Sequence, residues 1–521
     1  SENRTLRDET QRLRDEINRL KGEQGKPRIK PSKKPRTTST SDHSSESARR
    51  QDKKRTRRPK VQHIQIDREC KLELDRAQLP EDAEFKEYVA VVVQDVRLIT
   101  DNIRFLKEKR YSPSQQKTYL AELPAGYEGQ FGPGVKALSL VLYHAVNTSE
   151  PKIIEFFEHV GVFISSGQVS NLLIKDQERF HAEKDAVYEA GLRSSPWQHS
   201  DETGTRVNGV NEHCHVMCSP LYTAYFTTAH KDRLAVIDVL NNLRPRTYRL
   251  LAQTYEWLQQ AQVSSSVLAG LRHLPQEIVL DNEQFTQMLD EHLANIIAQH
   301  RRLVLEAAAI TAYQTQQEIP VVRLLLCDDA PQFKRVTDEM ALCWVHDARY
   351  YNKLSPAVDY HRRLLAKFME RYWTFYHKLV AYRQAPDPAH IPRLESEFDD
   401  LFSTVTGYAG LDRRIAMTQD KKLYLLMVLR HPEIPLHNNP AEIEMRRRVR
   451  KRDVSFGPRT ADGKRAWDTF ATLLATSTKL GVSFYRYIYD RVSAAYEIPA
   501  LADLIAQRAQ QLDLGSSWMP A

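Results

Sequence analysis

Residues 195–203 (SPWQHSDET), 211–219 (NEHCHVMCS) and 221–228 (LYTAYFTT) carry the reading on which the fold turns. Each is short and rich in aromatic or β-branched residues, and together they read as three successive strands. KDRLAVIDVLNNL (231–243) then reads as a helix. Further on, VVRLLLCDD (321–329) is a strand of the buried type that ends in two aspartates, and ALCWVH (341–346) is another strand. Two helical, polar-faced stretches, 246–317 and 355–430, separate these pieces. An arginine-rich helix begins at Asn438, followed by a loop (FGPRTADG, 456–463) and the helix AWDTFATLLATSTKL (466–480). No internal repeat is present.

With the two helical stretches removed, three strands and a helix are followed by two more strands and a last helix. This is the element order of a ribonuclease-H-like fold, so the fold class expected is multidomain α/β with large helical insertions. Acids stand at three matching places: Asp201 at the end of the first strand, Asp328 after the fourth, and Glu442 near the start of the last helix. Three converging carboxylates repel one another, and such a cluster is normally held by divalent cations. Mg²⁺ takes oxygen ligands and bridges phosphates, with Mn²⁺ as a substitute. Paired ions of this kind serve in-line phosphodiester displacement. Asp329 is the alternative to Asp328, which is preferred because it directly follows the strand. Glu444 is the alternative to Glu442, but two residues differ by about 200° of helix rotation, so both cannot face one site. Glu202 is expected on the opposite side of the strand from Asp201.

The segments HSDETGTRVNG (199–209), LLLCDDAPQF (324–333), LCWVHDARYY (342–351) and HNNPAEIEMRRR (437–448) resemble transposases of the insertion sequence 66 family. The family pattern is matched by Asp201-Glu202-Thr203, by Asp328, by Cys343-Trp344-His346-Arg349 and by Asn438-Asn439-Pro440-Ala441-Glu442. The resemblance runs from about residue 135 to 490. It implies a DDE-type catalytic domain that cuts and joins transposon ends, with Asp201, Asp328 and Glu442 as catalytic and metal-holding residues. It also implies double-stranded DNA as substrate, a homodimer or higher oligomer on DNA, and accessory transposon proteins as partners. Three departures stand out. The paired cysteines of the family's zinc module are absent, since Cys70 is alone before Cys214. Ile443 stands where Arg commonly follows the glutamate, and residues 246–317 lengthen the gap between the first two acids. A catalytically inactive DNA-binding descendant and another ribonuclease-H-like nuclease are the rival functions.

Upstream, residues 135–190 read as helices, with Ser149 capping EPKIIEFFEHVG and Ser165 or Ser166 capping the next. Helix, glycine-containing turn and helix, the last carrying Gln168, Ser170, Asn171 and Lys175, resemble a helix-turn-helix reader of DNA. Residues 61–123 hold the β-branched runs VQHIQI, EYVAVVVQDVRLI and KTYLAEL and read as a small strand-rich module. YEGQFGPG (127–134) is a turn-rich junction. Residues 26–60 carry 14 Lys and Arg against 3 Asp and Glu, so this stretch is +11 and the rest of the chain −3. It reads as a disordered cationic linker suited to polyanions. Leu6, Leu13 and Leu20 mark a heptad helix over 2–22 that would pair with a second copy. The domain order expected is a coiled coil (1–24), basic linker (25–60), strand-rich module (61–130) and DNA-binding helices (131–190). Three core parts (191–245, 318–350, 436–490) follow, split by helical insertions at 246–317 and 351–435, with a helical tail at 491–521.

The chain has 521 residues, 41% hydrophobic and 27% charged, which is the balance of a soluble protein of several domains. No apolar run reaches membrane length and the first residues lack a signal peptide's core, so a cytoplasmic protein is expected. Five cysteines in no regular framework suit a reducing compartment. His213, Cys214, His215 and Cys218 alternate between strand faces, and Cys343 and His346 lack two further ligands, so no zinc is expected. His346 and Arg349 are placed near the acids, contacting DNA phosphate. Arg446, Arg447, Arg450 and Lys451, just beyond Glu442, would position a DNA backbone.

Overall fold

A computed structural model describes residue 64 and residues 66–75, 79–80 and 83–518. The heptad segment and the basic linker lie outside the described residues. The first strands are a hairpin, β1 (Lys109–Ser112) and β2 (Lys117–Leu120). The strand expected over 87–99 is not formed. Val89, Val91 and Val93 are exposed there, and no neighbouring chain completes a ladder. A β-branched run becomes a strand only when a partner takes its backbone groups.

Four helices follow: α1 (Pro133–His144), α2 (Glu150–His159), α3 (Ser166–Ile174) and α4 (Glu178–Arg193). Ser149 stands at the N-cap of α2 with Pro151 in its first turn. Ser165 caps α3, its hydroxyl accepting from the Gln168 amide at 3.3 Å.

Then come β3 (Trp197–Val207), β4 (Val210–Cys218), β5 (Thr223–Thr228) and α5 (Arg233–Leu240). The first helical stretch contains β6 (Thr247–Arg249), α6 (Ala252–Gln260), α7 (Ser265–Leu271), β7 (Val279–Asp281), α8 (Asn282–His292) and α9 (Ala298–Thr315). β6 and β7 pair with each other, a three-residue ladder too short to show as a sequence pattern. The chain returns through β8 (Leu324–Cys327) and β9 (Glu339–Leu342). The second helical stretch holds α10 (Trp344–Asn352), α11 (Asp359–Gln384), α12 (Ile391–Phe402), α13 (Ala409–Gln419) and α14 (Lys422–Leu425). The last helices are α15 (Asn439–Ser455), α16 (Ala461–Lys479), α17 (Phe484–Val492) and α18 (Leu501–Ala509). ALCWVH is therefore not one strand. β9 stops at Leu342, the Cys343 amide gives the last bond to Cys327 carbonyl, and Trp344 and His346 enter α10.

The main sheet runs β5-β4-β3-β8-β9. β3, β4 and β5 are antiparallel, while β8 and β9 lie parallel to β3. Its outer strand β5 is covered by α16, whose buried threonines bond to the strand. Tyr225 amide donates to Thr472 Oγ1 at 3.0 Å and Thr223 amide to Thr476 Oγ1 at 3.2 Å. The helix thus satisfies donors that an open edge would leave to solvent or to another chain.

Candidate active site

Strand register places the first two acids. His199 lies opposite Leu326 in the parallel β3–β8 pair; continued two residues past the last paired position, this register brings Asp201 level with Asp328, whose charge raises the Asp201 carboxyl. Asp201 is not at the end of its strand as expected. β3 continues to Val207 in its hairpin with β4, and it is β8 that ends, which opens the sheet beside Asp201.

The third acid is delivered by stitching α15 to that opening. Asn438, at the N-cap of α15, donates from Nδ2 to Ser200 carbonyl at 2.7 Å, and its Oδ1 meets His199 Nδ1 at 2.9 Å. Its amide donates to Cys343 Sγ at 3.2 Å, and Trp344 amide donates to Leu436 carbonyl at 3.0 Å. These bonds fix the helix start between β3 and α10, so Glu442 in the first turn faces the two aspartates. At the far end, Asn208 amide donates to Pro458 carbonyl at 2.9 Å, which docks the loop after α15 onto the β3–β4 hairpin. Asn438 was quoted within a motif, but its anchoring role was invisible because it depends on strands more than 200 residues away.

Electrostatics report the same convergence. Burial pushes the Asp201 carboxyl up to about 7, and repulsion from Asp328, Glu442 and Glu202 adds to the rise. Asp201 accepts the Glu202 amide at 2.9 Å, and Asp328 accepts the Ala330 amide at 3.1 Å. The rival acids are engaged elsewhere. Asp329 is paired with Lys421 at 2.6 Å and Lys334 at 3.1 Å. Glu444 is buried on the other side of α15, accepting Tyr225 hydroxyl at 2.8 Å and pairing with Arg447 at 3.1 Å. Glu202 lies 3.6 Å from Lys231, and burial raises its carboxyl.

Glu442 is held by cations. Arg349 donates to both of its oxygens, at 3.0 and 2.7 Å, and Arg446 lies 3.6 Å away. Arg349 also donates to His346 Nε2 at 2.9 Å, which keeps that imidazole neutral with its proton on Nδ1. Burial lowers the His346 pKa further. His346 and Arg349, expected to contact DNA phosphate, thus point at the third acid. Only Arg349 donates to the carboxylate; His346 Nε2, 3.4 Å from Glu442 Oε1, takes its hydrogen bond from Arg349.

The other basic residues separate. Arg446 and Arg450 are exposed, and Arg447 is half-committed to Glu444. Lys451 corrects the expectation of a DNA-facing cation. It is buried, donates to the Tyr143 carbonyl, and burial pushes its ammonium down to about 7. Helix rotation turns it inward, beside Arg448. On α3, Asn171 and Lys175 are exposed and Gln168 is half-buried.

Among the described residues no group of three His, Cys, Asp or Glu side chains is arranged to hold a metal ion. Cys214 and Cys218 sit in an apolar cluster with Ala441 and Met445, and burial pushes their thiols up to about 12 and about 11. For Asp201, Asp328 and Glu442 the donor chemistry fits a hard divalent cation. All three are oxygen donors, and Asp328 and Glu442 are near enough to Asp201 to add to the rise that burial gives its carboxyl.

Comparison with known proteins adds the context. Residues 317–466, which contain Asp328 and Glu442, match the model described as transposase IS66 family. An uncharacterized protein of Sinorhizobium fredii is 32% identical over 321 residues, covering 61% of this chain and 99% of that protein. With Asp328, the segment around Trp344 and the Asn-Asn-x-Ala-Glu turn all inside it, residues 317–466 are a domain of the transposase IS66 family.

Proposed function

We propose that the chain is a DNA transposase whose β5-β4-β3-β8-β9 sheet is a ribonuclease-H-like core and whose Asp201, Asp328 and Glu442 are the catalytic carboxylates. The observation that carries this is the side-by-side register of Asp201 and Asp328, with α15 bringing Glu442 against them. The sheet order supports the fold: three antiparallel strands, then two strands parallel to the first.

The reaction inferred is cleavage at the element end by water, which frees a 3′-OH, followed by attack of that hydroxyl on target DNA. The three carboxylates would hold Mg²⁺ or Mn²⁺, which supplies Lewis-acid stabilisation of the attacking and leaving oxygens. Arg349, itself braced by His346, holds Glu442 in place until that charge arrives, and Arg446 lines the approach. Asp329, locked by Lys421 and Lys334, keeps the loop after β8 fixed so that Asp328 faces Asp201.

The α2–α3 pair is assigned to end recognition, with Gln168 and Asn171 on base edges and Lys175 on phosphate. Pairing of two copies on DNA is assigned to the heptad segment, which lies outside the described residues. No described helix is long and apolar enough to cross a membrane, and the reading places the protein with DNA in the cytoplasm.

The test is cleavage of a duplex bearing the element end, with Mg²⁺. The full chain should nick at the end, and Asp328→Asn should bind that duplex without nicking it. Cleavage by Asp328→Asn but not by Asp329→Asn would move the second acid. No Mg²⁺-dependent cleavage by the unaltered chain, with end binding intact, would leave the DNA-binding descendant.

A further inference from the structure

A cavity of about 310 Å³ lies on the face of α15 turned away from Glu442. Its walls come from α15, α16 and the C-terminal end of α1. Four cations of α15 line it, Arg447, Arg448, Arg450 and Lys451, against one lining carboxylate, Glu444.

The pairing inside is incomplete. Arg447 pairs with Glu444 at 3.1 Å, and Arg448 pairs with Asp468 at 2.8 Å. Arg450 and Lys451 form no ion pair among the described residues. Lys451 is 7% exposed, and its ammonium rests on the Tyr143 carbonyl and 3.3 Å from the centre of the Tyr143 ring. Two buried nitrogens that line the cavity's residues have no hydrogen-bond partner: Nε2 of His144, which is 9% exposed, and Nε of Arg448, which is 4% exposed. Burial, then Lys451 and Arg448, holds the His144 imidazole well below its usual pKa, so it is neutral and has one N–H to give.

A buried ammonium with no counter-charge, Lys451, and two unmet buried nitrogens are both costly, and native structures normally satisfy such groups; Arg450 adds an exposed, unpaired cation at the rim. One kind of ligand answers both: an anion with several acceptor oxygens. A phosphate is that anion, matched to guanidinium and ammonium donors. Ala471, Leu474 and Ala475 form an apolar stretch of the wall, and Asn147, Tyr225 and Thr478 add polar groups elsewhere on the lining. The volume is at the small end of ligand sites, room for more than a bare phosphate.

We propose that this cavity is a nucleotide site, with Arg450, Lys451 and His144 on the phosphate and the Ala471–Leu474–Ala475 wall under the base. The site is separate from the three carboxylates, because α15 stands between them, and it does not depend on the catalytic reading. The nucleotide has two possible sources, a free mononucleotide or a residue of a bound DNA strand.

Titration calorimetry of the full chain with dAMP, with deoxyadenosine as the phosphate-free control, tests the first source. Fluorescence polarisation with a short labelled single-stranded oligodeoxynucleotide tests the second. Both are repeated on Arg450→Gln, an exposed position that leaves the fold intact, and on His144→Leu. Binding of dAMP but not deoxyadenosine, weakened about tenfold by Arg450→Gln, establishes a free-nucleotide site. Oligonucleotide binding alone, weakened by both substitutions, assigns the phosphate to DNA. Equal binding of dAMP and deoxyadenosine, binding indifferent to both substitutions, or no binding of any probe overturns the proposal. A Glu442→Gln chain that loses cleavage and keeps nucleotide binding separates the fate of this site from that of the carboxylates.

Discussion

The two faces of α15 use the same residue types for opposite ends. One face carries Glu442 and Arg446 to the edge of the sheet, where Glu442 meets Asp201, Asp328 and the guanidinium of Arg349. The other carries Glu444, Arg448 and Lys451 inward, against Tyr225, Asp468 and Tyr143. Acid and base alternate along the helix, so composition cannot tell the faces apart. The difference lies in partners. On the inner face most charges have a fixed counter-group and the helix is pinned to the body. On the outer face, carboxylates crowd one another and a single cation bridge keeps them apart. An excess of like charge at an opening is a site for chemistry, and a matched pair in the interior is structure.

The sharpest way to break this contrast is substitution of the outer acids. Asp201→Asn, Asp328→Asn and Glu442→Gln should each lower end cleavage to below about one part in 10³ in a duplex-nicking assay. Their thermal midpoints should not fall. If any of the three loses stability and keeps cleavage, the outer face is structural too.

On the inner face the effect should fall on stability. Arg448→Met leaves Asp468 buried without its cation and should cost about 3–5 kcal/mol in urea unfolding. The companion Asp468→Asn, Arg448→Met double variant should recover most of that loss. Without recovery, the pair would not be the unit that pins α15.

A smaller effect separates crowding from pairing by pH. The Asp201 carboxyl lies at about 7 in the folded chain against an ordinary 3.8, so the folded state binds more protons than the unfolded state between those values. Stability without divalent cation should therefore fall as pH rises through that window. Asp201→Asn should melt higher than the parent at pH 8 in chelator and coincide with it near pH 4. Coincident curves at both pH values would mean that the carboxylates do not crowd.

The smallest expected effect concerns the bridge. Arg349→Gln frees Glu442, so half-maximal cleavage should need several-fold less Mg²⁺, the scale of a partly exposed ion pair. An increased Mg²⁺ requirement would make Arg349 a positioning residue for the bound ion.

Asp201, Asp328 and Glu442 stand out in the sequence from element order and from the motifs around them. The structure adds that Asp328 and Glu442 are near enough to Asp201 to raise its carboxyl. The preference for Asp328 over Asp329 rests on its place directly after the strand and on the motif, and the lysines that hold Asp329 come from the loop after β8 and from residue 421. His346 and Arg349 are placed near the acids by the sequence, as supports of the site or as contacts to phosphate, and the structure shows Arg349 bonded to Glu442 with His346 beside it. A sequence shows that a cation is near, not whether a carboxylate has already taken it. Lys451 was misassigned for a related reason. In a run of six cations nothing marks the two that rotate inward, because the cue is the aromatic wall of Tyr143 and Trp467 supplied by other helices.

The β-rich texture of 87–99 shows the limit from the other side. Its residues have the same strand preference as LYTAYFTT, yet Thr223–Thr228 is a strand because β4 lies on one side and the threonines of α16 on the other. The sequence by itself determined the periodic elements, the caps at Ser149 and Ser165, and which acids sit at element ends, because these depend on residues within a few positions of one another. Tertiary structure alone decided which strands are paired, which face of α15 carries Glu442 toward β3, and which cations are spent on internal acids. Those choices are made by contacts between residues 90 to more than 300 apart in the chain, and local pattern carries no information about them.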